Sequence, residues 1–284
     1  MAGVEAWRNA SEVTTTGAGV LRPEEFARYV ELERFDCADD LSPWVDNYWM
    51  LRWDLPAGTS YLSSTLPHPA CTLSVERGHP RSGVGPERVV VTGVLTRRFD
   101  VHVAGQGWVF GVKFRPGGLA SLTGTGAREL RDATVHAAGV FDAATCEALE
   151  ALGPDVEPAT CRRRVDAALT PESGTPEADY VFLLQVISEM LTDRSMIRVA
   201  ELEDRFAVTA RRLQRLFAHY VGVSPKWVLA RYRMHDVVTE LDEGYAGSLA
   251  DLATRYGWFD QAHFTREFTR LVGCPPGSYQ RPRA

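Results

Sequence analysis

The feature that most limits how this chain can fold is a short unit used twice near its carboxyl end. Val199-Ala200-Glu201-Leu202 corresponds to Leu249-Ala250-Asp251-Leu252, and Arg205-Phe206 to Arg255-Tyr256, at an offset of 50 residues. Past a turn the offset becomes 51, and Leu213/Phe264, Arg215/Arg266, Phe217/Phe268, Val221/Val272, Gly222/Gly273 and Pro225/Pro276 correspond. Self-similarity at such a period marks one supersecondary unit that recurs. In the second copy Ser248, with Asp251 three residues on, reads as a capping box. Leu249, Leu252, Ala253 and Tyr256 then give one apolar face at helical spacing. Gly257 supplies a sharp turn, and Asp260 caps a second helix with Phe264, Phe268 and Leu271 on its apolar side. In the first copy the helix Val199–Phe206 and a turn at Ala207-Val208 lead to Thr209, a good N-cap for the helix that follows. Each copy is a helix-turn-helix.

Between the copies, Ser224-Pro225 places an N-cap before proline at the first helical position. Trp227, Met234, Val238 and Leu241 form a stripe through a long helix ending near Glu243. Such a rod spans roughly 27 Å at about 1.5 Å per residue. Two recognition helices held apart on it suit successive major grooves, which repeat about every 34 Å along one face of a duplex. The outward residues are Arg211, Arg212, Gln214 and Arg215 in the first copy, and Gln261, His263, Arg266, Glu267 and Arg270 in the second. Several are types that hydrogen-bond base edges or phosphates. A lone unit could be a structural corner; two in tandem with Arg/Gln outer faces point to double-stranded DNA.

The front of the chain has a different texture. Residues 23–34 suit a short helix or an edge segment. From Trp44 to Arg115, runs rich in Val, Thr, Tyr, Trp and Phe alternate with Gly/Pro turns, as strands of a sandwich or barrel do. Trp108, Phe110, Val112 and Phe114 share one face, with Lys113 and Arg115 on the other. After Pro116 to Gly118 the pattern turns helical at Leu119–Leu122, Ala143–Leu152 and Thr160–Leu169. Residues 170–179, TPESGTPEAD, read as a linker, and Tyr180–Thr192 as an amphipathic helix. The expected fold is α+β in two domains. Residues 1–169 form a β-rich barrel with accessory helices, and residues 180–284 an all-α domain of two helix-turn-helix units on a long helix.

Charge and cysteine usage narrow the function. Residues 180–284 hold 14 Lys and Arg against 12 Asp and Glu, while residues 1–179 hold 17 against 25. DNA binding must then rest on placed arginines and not on bulk charge. The amino terminus lacks a basic and apolar leader, and no apolar run is long enough to span a membrane, so a cytoplasmic protein without membrane partners is expected. The five cysteines never form a C-x-x-C pair, and the histidines of the front half lack metal-ligand spacing; neither metal nor cofactor is expected. No G-x-S-x-G elbow is present, and Glu76, His68 and Cys71 are the sole polar cluster that an enzyme could use, so no catalytic residue is assigned. What remains is an aromatic-rich domain, with Trp44, Tyr48, His68, Trp108 and Phe110 as candidates to line a pocket for a planar or apolar small molecule.

The closing stretch Leu249-Ala250 through Gly257, Phe264, Phe268, Gly273, Pro275-Pro276 and Tyr279 resembles the signature of the AraC/XylS transcriptional regulators. The resemblance covers residues 180–284. It implies base contacts at Arg211, Gln214, Arg215, Gln261, His263 and Arg266, with Arg212 and Lys226 better placed for phosphate. Arg211 and Ala262 depart from residues found in other members, so the DNA sequence recognised does not transfer. The front half is similar to a domain fused to such regulators, through Leu66-Pro67-His68-Pro69, Thr96-Arg97-Arg98-Phe99 and the run Gly111 to Gly118. In that family this domain is often a cupin-like barrel that senses an effector or dimerises. The resemblance therefore implies an operator, a small-molecule effector, a homodimer and RNA polymerase as partners. Two alternatives stay open: an enzyme domain tethered to DNA, and a front half that only dimerises or recruits.

Overall fold

The computed structural model describes residues 19–79, 81, 88–171, 174–193 and 195–280. The amino-terminal leader reading therefore lies outside the described residues, as do residues 172 and 173 of the linker.

The front half is built on a six-stranded antiparallel sheet in the order β1-β2-β7-β4-β5-β8. Its strands are β1 (Glu31–Phe35), β2 (Val45–Asp54), β4 (Thr72–Gly78), β5 (Val89–Thr92), β7 (Gln106–Phe114) and β8 (Thr134–His136). A separate two-stranded ribbon pairs β3 (Ser60–Thr65) with β6 (Phe99–Ala104). The segment at 23–34 supplies both expected alternatives, a single helical turn α1 (Pro23–Phe26) followed by β1. The cupin-like barrel needs correcting. No ladder joins the ribbon to the sheet among the described residues, so the domain is an open sheet with a ribbon folded across it. The chain turns this corner where the Leu55 amide donates to the Gly105 carbonyl at 2.9 Å, between β2 and β3 on one side and β6 and β7 on the other.

Strand alternation gives the sheet two different faces. Tyr48, Met50, Leu73, Val75, Trp108, Phe110, Val112 and Phe114 are buried on one. Helices α2 (Gly118–Thr123), α3 (Ala143–Glu150) and α4 (Pro158–Leu169) contribute Leu119, Leu149, Cys161 and Val165 to the same core.

The helical half comprises α5 (Ala178–Thr192), α6 (Val199–Phe206), α7 (Ala210–Leu216), α8 (Pro225–Asp242), α9 (Leu249–Arg255), α10 (Gln261–Val272) and a final turn α11 (Pro276–Tyr279). Its two units are anchored differently. Leu202, Leu213, Leu216 and Phe217 of the first join the core of the sheet through Tyr180, Leu183 and Leu184 of α5. The second has its own core of Leu252, Phe264, Phe268 and Leu271 on Met234 and Val238 of α8, touched from the front half by Leu21 and Leu66.

Candidate nucleic-acid interface and the cavity behind it

The repeat in sequence is a repeat in structure. Thr209 accepts from the Arg212 amide, Ser224 from that of Trp227, Ser248 from that of Asp251 and Asp260 from that of His263, so α7, α8, α9 and α10 each start with a side chain on one orphan donor, whereas α6 starts at Arg198 with no side-chain cap. Leu202/Leu252, Leu213/Phe264, Phe217/Phe268 and Val221/Val272 are buried in both copies. Gly222 and Gly273 end the recognition helices at φ 81° and 89°, a region that favours glycine. The copies also differ in backbone detail. Ala207 takes a left-handed φ of 49° where the second copy has Gly257 at 75°. The first recognition helix also widens at its end, where the Gly222 amide reaches back five residues to the Phe217 carbonyl; Gly273 reaches back four, to Thr269.

These helices leave Arg211, Arg212, Gln214 and Arg215 exposed on α7 and Gln261 and Arg266 exposed on α10, with His263 half-buried and Lys226 exposed in the first turn of α8. Two of the group are engaged within the chain. Arg212 pairs with Asp179 at 3.3 Å and lies over the Phe182 ring at 4.7 Å. His263 Nε2 lies 4.0 Å from the Glu267 carboxylate, which also accepts from Trp258 Nε1 at 2.6 Å.

Behind this surface, between the second face of the sheet and the ribbon, lies a cavity of about 780 Å³. Trp49 and Trp53 of β2 form part of its floor. They sit directly across from Gly111 and Gly107 of β7, where any Cβ would collide with the indole rings. Leu32, Leu51, Phe99, Val101, Val103 and Val109 add to the apolar lining. The polar side carries paired charges: Arg81 to Glu76 at 2.9 Å, with Ser74 also donating to Glu76, and Lys113 to Asp46 at 2.9 Å. Burial alone would raise the Asp46 carboxyl, but Lys113, with Arg115 and Arg34, holds it below the ordinary range.

Of the five residues expected to line a pocket, His68 borders this cavity. The other four face the packed core. Tyr48 and Phe110 are 0 % and 1 % exposed, and Trp44 and Trp108 both 2 %. Tyr48 donates to Asp166 at 2.7 Å and Trp44 to Ser121 at 3.0 Å. For Tyr48, Phe110 and Trp108 the reason is the period of two: beyond the bulge at Val45–Asn47 of β2, and along β7, the even-numbered positions turn away from the ribbon and the odd-numbered ones towards it. Glycine at 107 and 111, on one face and opposite tryptophans, is the signal that distinguishes the two sides. The residues of the suggested enzyme cluster are otherwise engaged. Glu76 is held by Arg81, His68 packs elsewhere, and burial pushes the Cys71 thiol up to about 12.

Three short segments that carried the front-half resemblance contribute to the junction with the helical domain. Pro67 and Thr96 each present a carbonyl to Arg231 of α8 at 2.9 Å, and this guanidinium is 2 % exposed and stacks over Trp227. His68 stacks on His235 with ring centres 4.0 Å apart. Burial depresses both imidazoles, that of His235 to about 3, with Arg231 and Lys113 adding to the effect. Arg98, paired with Asp100, donates to the Val272 carbonyl at 2.6 Å and so caps the carboxyl end of α10. Gly117 packs against Leu183 and Tyr220, and the Ala127 amide donates to His219 at 3.0 Å near the end of the first recognition helix. The sheet domain thus grips both recognition helices by their carboxyl ends and leaves their outer faces open.

Residues 202–282 match the family model of a helix-turn-helix domain, and residues 33–136 match a domain of unknown function, DUF6597. A Streptomyces lividans protein described as an AraC-like transcription regulator is 35 % identical over 83 residues, 29 % of this chain and 27 % of that relative. The match thus spans about a quarter of the relative's length. Among solved structures, ToxT from Vibrio cholerae is similar at 9 % identity, covering 88 % of this chain and 97 % of that one, with a TM-score of 0.40. An unsaturated-fatty-acid-bound ToxT from strain SCE256 is similar at 11 % identity, with 88 % and 94 % coverage and a TM-score of 0.38. With its paired units and its family match, the carboxyl-terminal part of the chain, residues 202–282, is a helix-turn-helix domain similar to part of an AraC-like transcription regulator.

Proposed function

We propose that the chain is a sequence-specific regulator that reads operator DNA with α7 and α10 and senses a small molecule in the cavity behind them. The observation that carries the reading is the pair of structurally equivalent helices, each with its apolar side buried and its Arg/Gln side open. Arg211, Gln214 and Arg215, and Gln261, His263 and Arg266, are assigned to base edges; Arg212 and Lys226 are assigned to phosphate, where they position without specifying. The division 1–169, 170–179 and 180–284 is the working one for this function.

The cavity supports a sensing role because its size falls within the range of small-molecule sites and its lining is mixed, with two indole faces on one side and paired charges on the other. It fits an amphipathic molecule with a flat or branched apolar body. A ligand acts by favouring one arrangement of the two domains over another.

The test is binding of the full chain, at fixed salt, to duplexes enriched from a random-sequence pool. Arg266→Ala should cost about 1–3 kcal/mol on the enriched duplex and little on random DNA, while Lys226→Ala should weaken both alike. Equal losses from both variants on both DNAs would overturn the division of roles, and failure to enrich any duplex would overturn DNA reading itself.

A further inference from the structure

The two copies of the helix-turn-helix are not the same length, and the extra residue is identifiable. Up to Val208 and Trp258 the copies run at an offset of 50: both residues follow a left-handed position, and both amides reach back five residues, to Glu203 and Ala253. From the N-caps Thr209 and Asp260 onward the offset is 51. The residue left over is Phe259.

Its surroundings explain why it points outward. The residue before an N-cap commonly packs on the fourth residue of the helix, here Phe264. Val208 in the first copy is partly buried against the core in that position. In the second copy Trp258 has taken the contact: its ring centre is 5.1 Å from that of Phe264, its indole N–H is held by Glu267, and Arg233 covers it. Phe259 is thereby displaced and is 93 % exposed, against 40 % for Leu62, the next exposed large apolar side chain among the described residues. A solvent-facing phenyl ring has been inserted at the amino end of the helix assigned to base reading, next to Gln261 and the exposed Ala262.

We propose that Phe259 is a specificity-determining residue of the second unit, and that its ring covers the 5-methyl group of a thymine in the major groove. This rests on the assignment of α10 to base reading. Residues at the amino end of a recognition helix are the ones that reach base edges, and an apolar side chain there has one base feature to meet, the thymine methyl group. Ala262, three residues on, is of the same type. The second half-site is therefore expected to be rich in A·T pairs where the helix enters.

The experiment uses the full chain and the duplex it enriches from a random pool. Each thymine is replaced singly by uracil, which removes the methyl group and leaves the base pair, and affinities of the wild type, Phe259→Ala and Arg266→Ala are compared at one salt concentration. At one or two thymines the wild type should lose about fourfold on uracil, the size of one buried methyl group. Phe259→Ala should bind the thymine duplex about tenfold more weakly, lose nothing further on uracil, and melt at the wild-type temperature. Wild-type affinity for Phe259→Ala would overturn the proposal, as would an equal loss on thymine and uracil duplexes, which would assign the ring to sugar or backbone. If Arg266→Ala is impaired in those cases, the reading of α10 stands without this contact. If Arg266→Ala also binds normally, the reading of α10 falls with it.

Discussion

Replacing Arg231 with alanine tests whether the sheet domain and the long helix are joined by the contacts seen. The side chain makes two charge-assisted hydrogen bonds, to Pro67 and Thr96. Each is worth about 1.5–3 kcal/mol, so their loss costs about 3–6 kcal/mol. Against this stands the cost of burying the guanidinium, expressed in a pKa lowered from 12.5 to about 10. Truncation returns a few kcal/mol of that cost. Stacking on Trp227 adds a loss of about 1 kcal/mol, and the stem leaves a void. The balance is destabilising by about 2 kcal/mol, or roughly 3 °C in melting temperature for a chain of this size. Arg231→Met should lose less, because its stem fills the space and carries no charge. The assay is thermal unfolding of the full chain followed by tryptophan fluorescence. An unchanged midpoint for Arg231→Ala, or a Met variant worse than the Ala one, would refute the balance drawn here.

Three further outcomes are expected. Ala207→Gly should stabilise by about 1 kcal/mol in chemical denaturation, since Ala207 holds a left-handed φ of 49° that its counterpart Gly257 adopts without a Cβ; a loss of stability would show that this φ carries no strain. Gly111→Ala should cost about 1–3 kcal/mol and red-shift the emission of Trp49, because the new methyl group must push the indole off the cavity floor; normal stability would mean that the floor is loosely packed. The His68–His235 stack should make the chain acid-sensitive. Both pKa values are depressed on folding, so the stability is present above the unfolded value near 6.5 and is lost as pH falls toward about 3, by up to about 1.4 kcal/mol per imidazole for each pH unit. His235→Phe should therefore lose fewer degrees than the wild type between pH 7 and pH 5, and an equal loss would locate the acid response elsewhere.

The helical half was legible because its signals are local. Thr209, Ser224, Ser248 and Asp260 are caps that act within three residues, and each caps the helix that the pattern assigns to it. The strands were legible for the same reason, but the use of their faces was not. Alternation divides β2 and β7 into two apolar sets without saying which one meets helices and which one a cavity. That choice depends on where the ribbon folds, which residues far apart in sequence decide. Two short elements, β8 and α11, have no periodicity of their own and form against existing partners. Arg231 shows the limit most plainly. It lies among the apolar positions of α8, where sequence alone makes it a surface arginine; two carbonyls from loops more than a hundred residues earlier make it a core residue.

These long-range contacts also determine which part of the molecule can answer an event in the cavity. The first helix-turn-helix is fused to the sheet through one continuous core, so moving it means breaking apolar packing around Leu213, Phe217 and Tyr180. The second has a separate core and is tied to the front half by Leu21, Leu66, hydrogen bonds from Arg22 to Ser278 and Tyr279, and Arg98 on the Val272 carbonyl. Arg98 stands at the start of β6, whose Phe99, Val101 and Val103 line the cavity. A molecule seated against those three side chains changes DNA affinity tenfold only if it favours one position of the second unit by about 1.4 kcal/mol. A charge-assisted hydrogen bond is worth about 1.5–3 kcal/mol, so making or breaking the one from Arg98 is enough. If the cavity senses a molecule as proposed, the response needs no refolding and no movement of the first unit, only a displacement of β6 large enough to carry the Arg98 guanidinium off the end of α10.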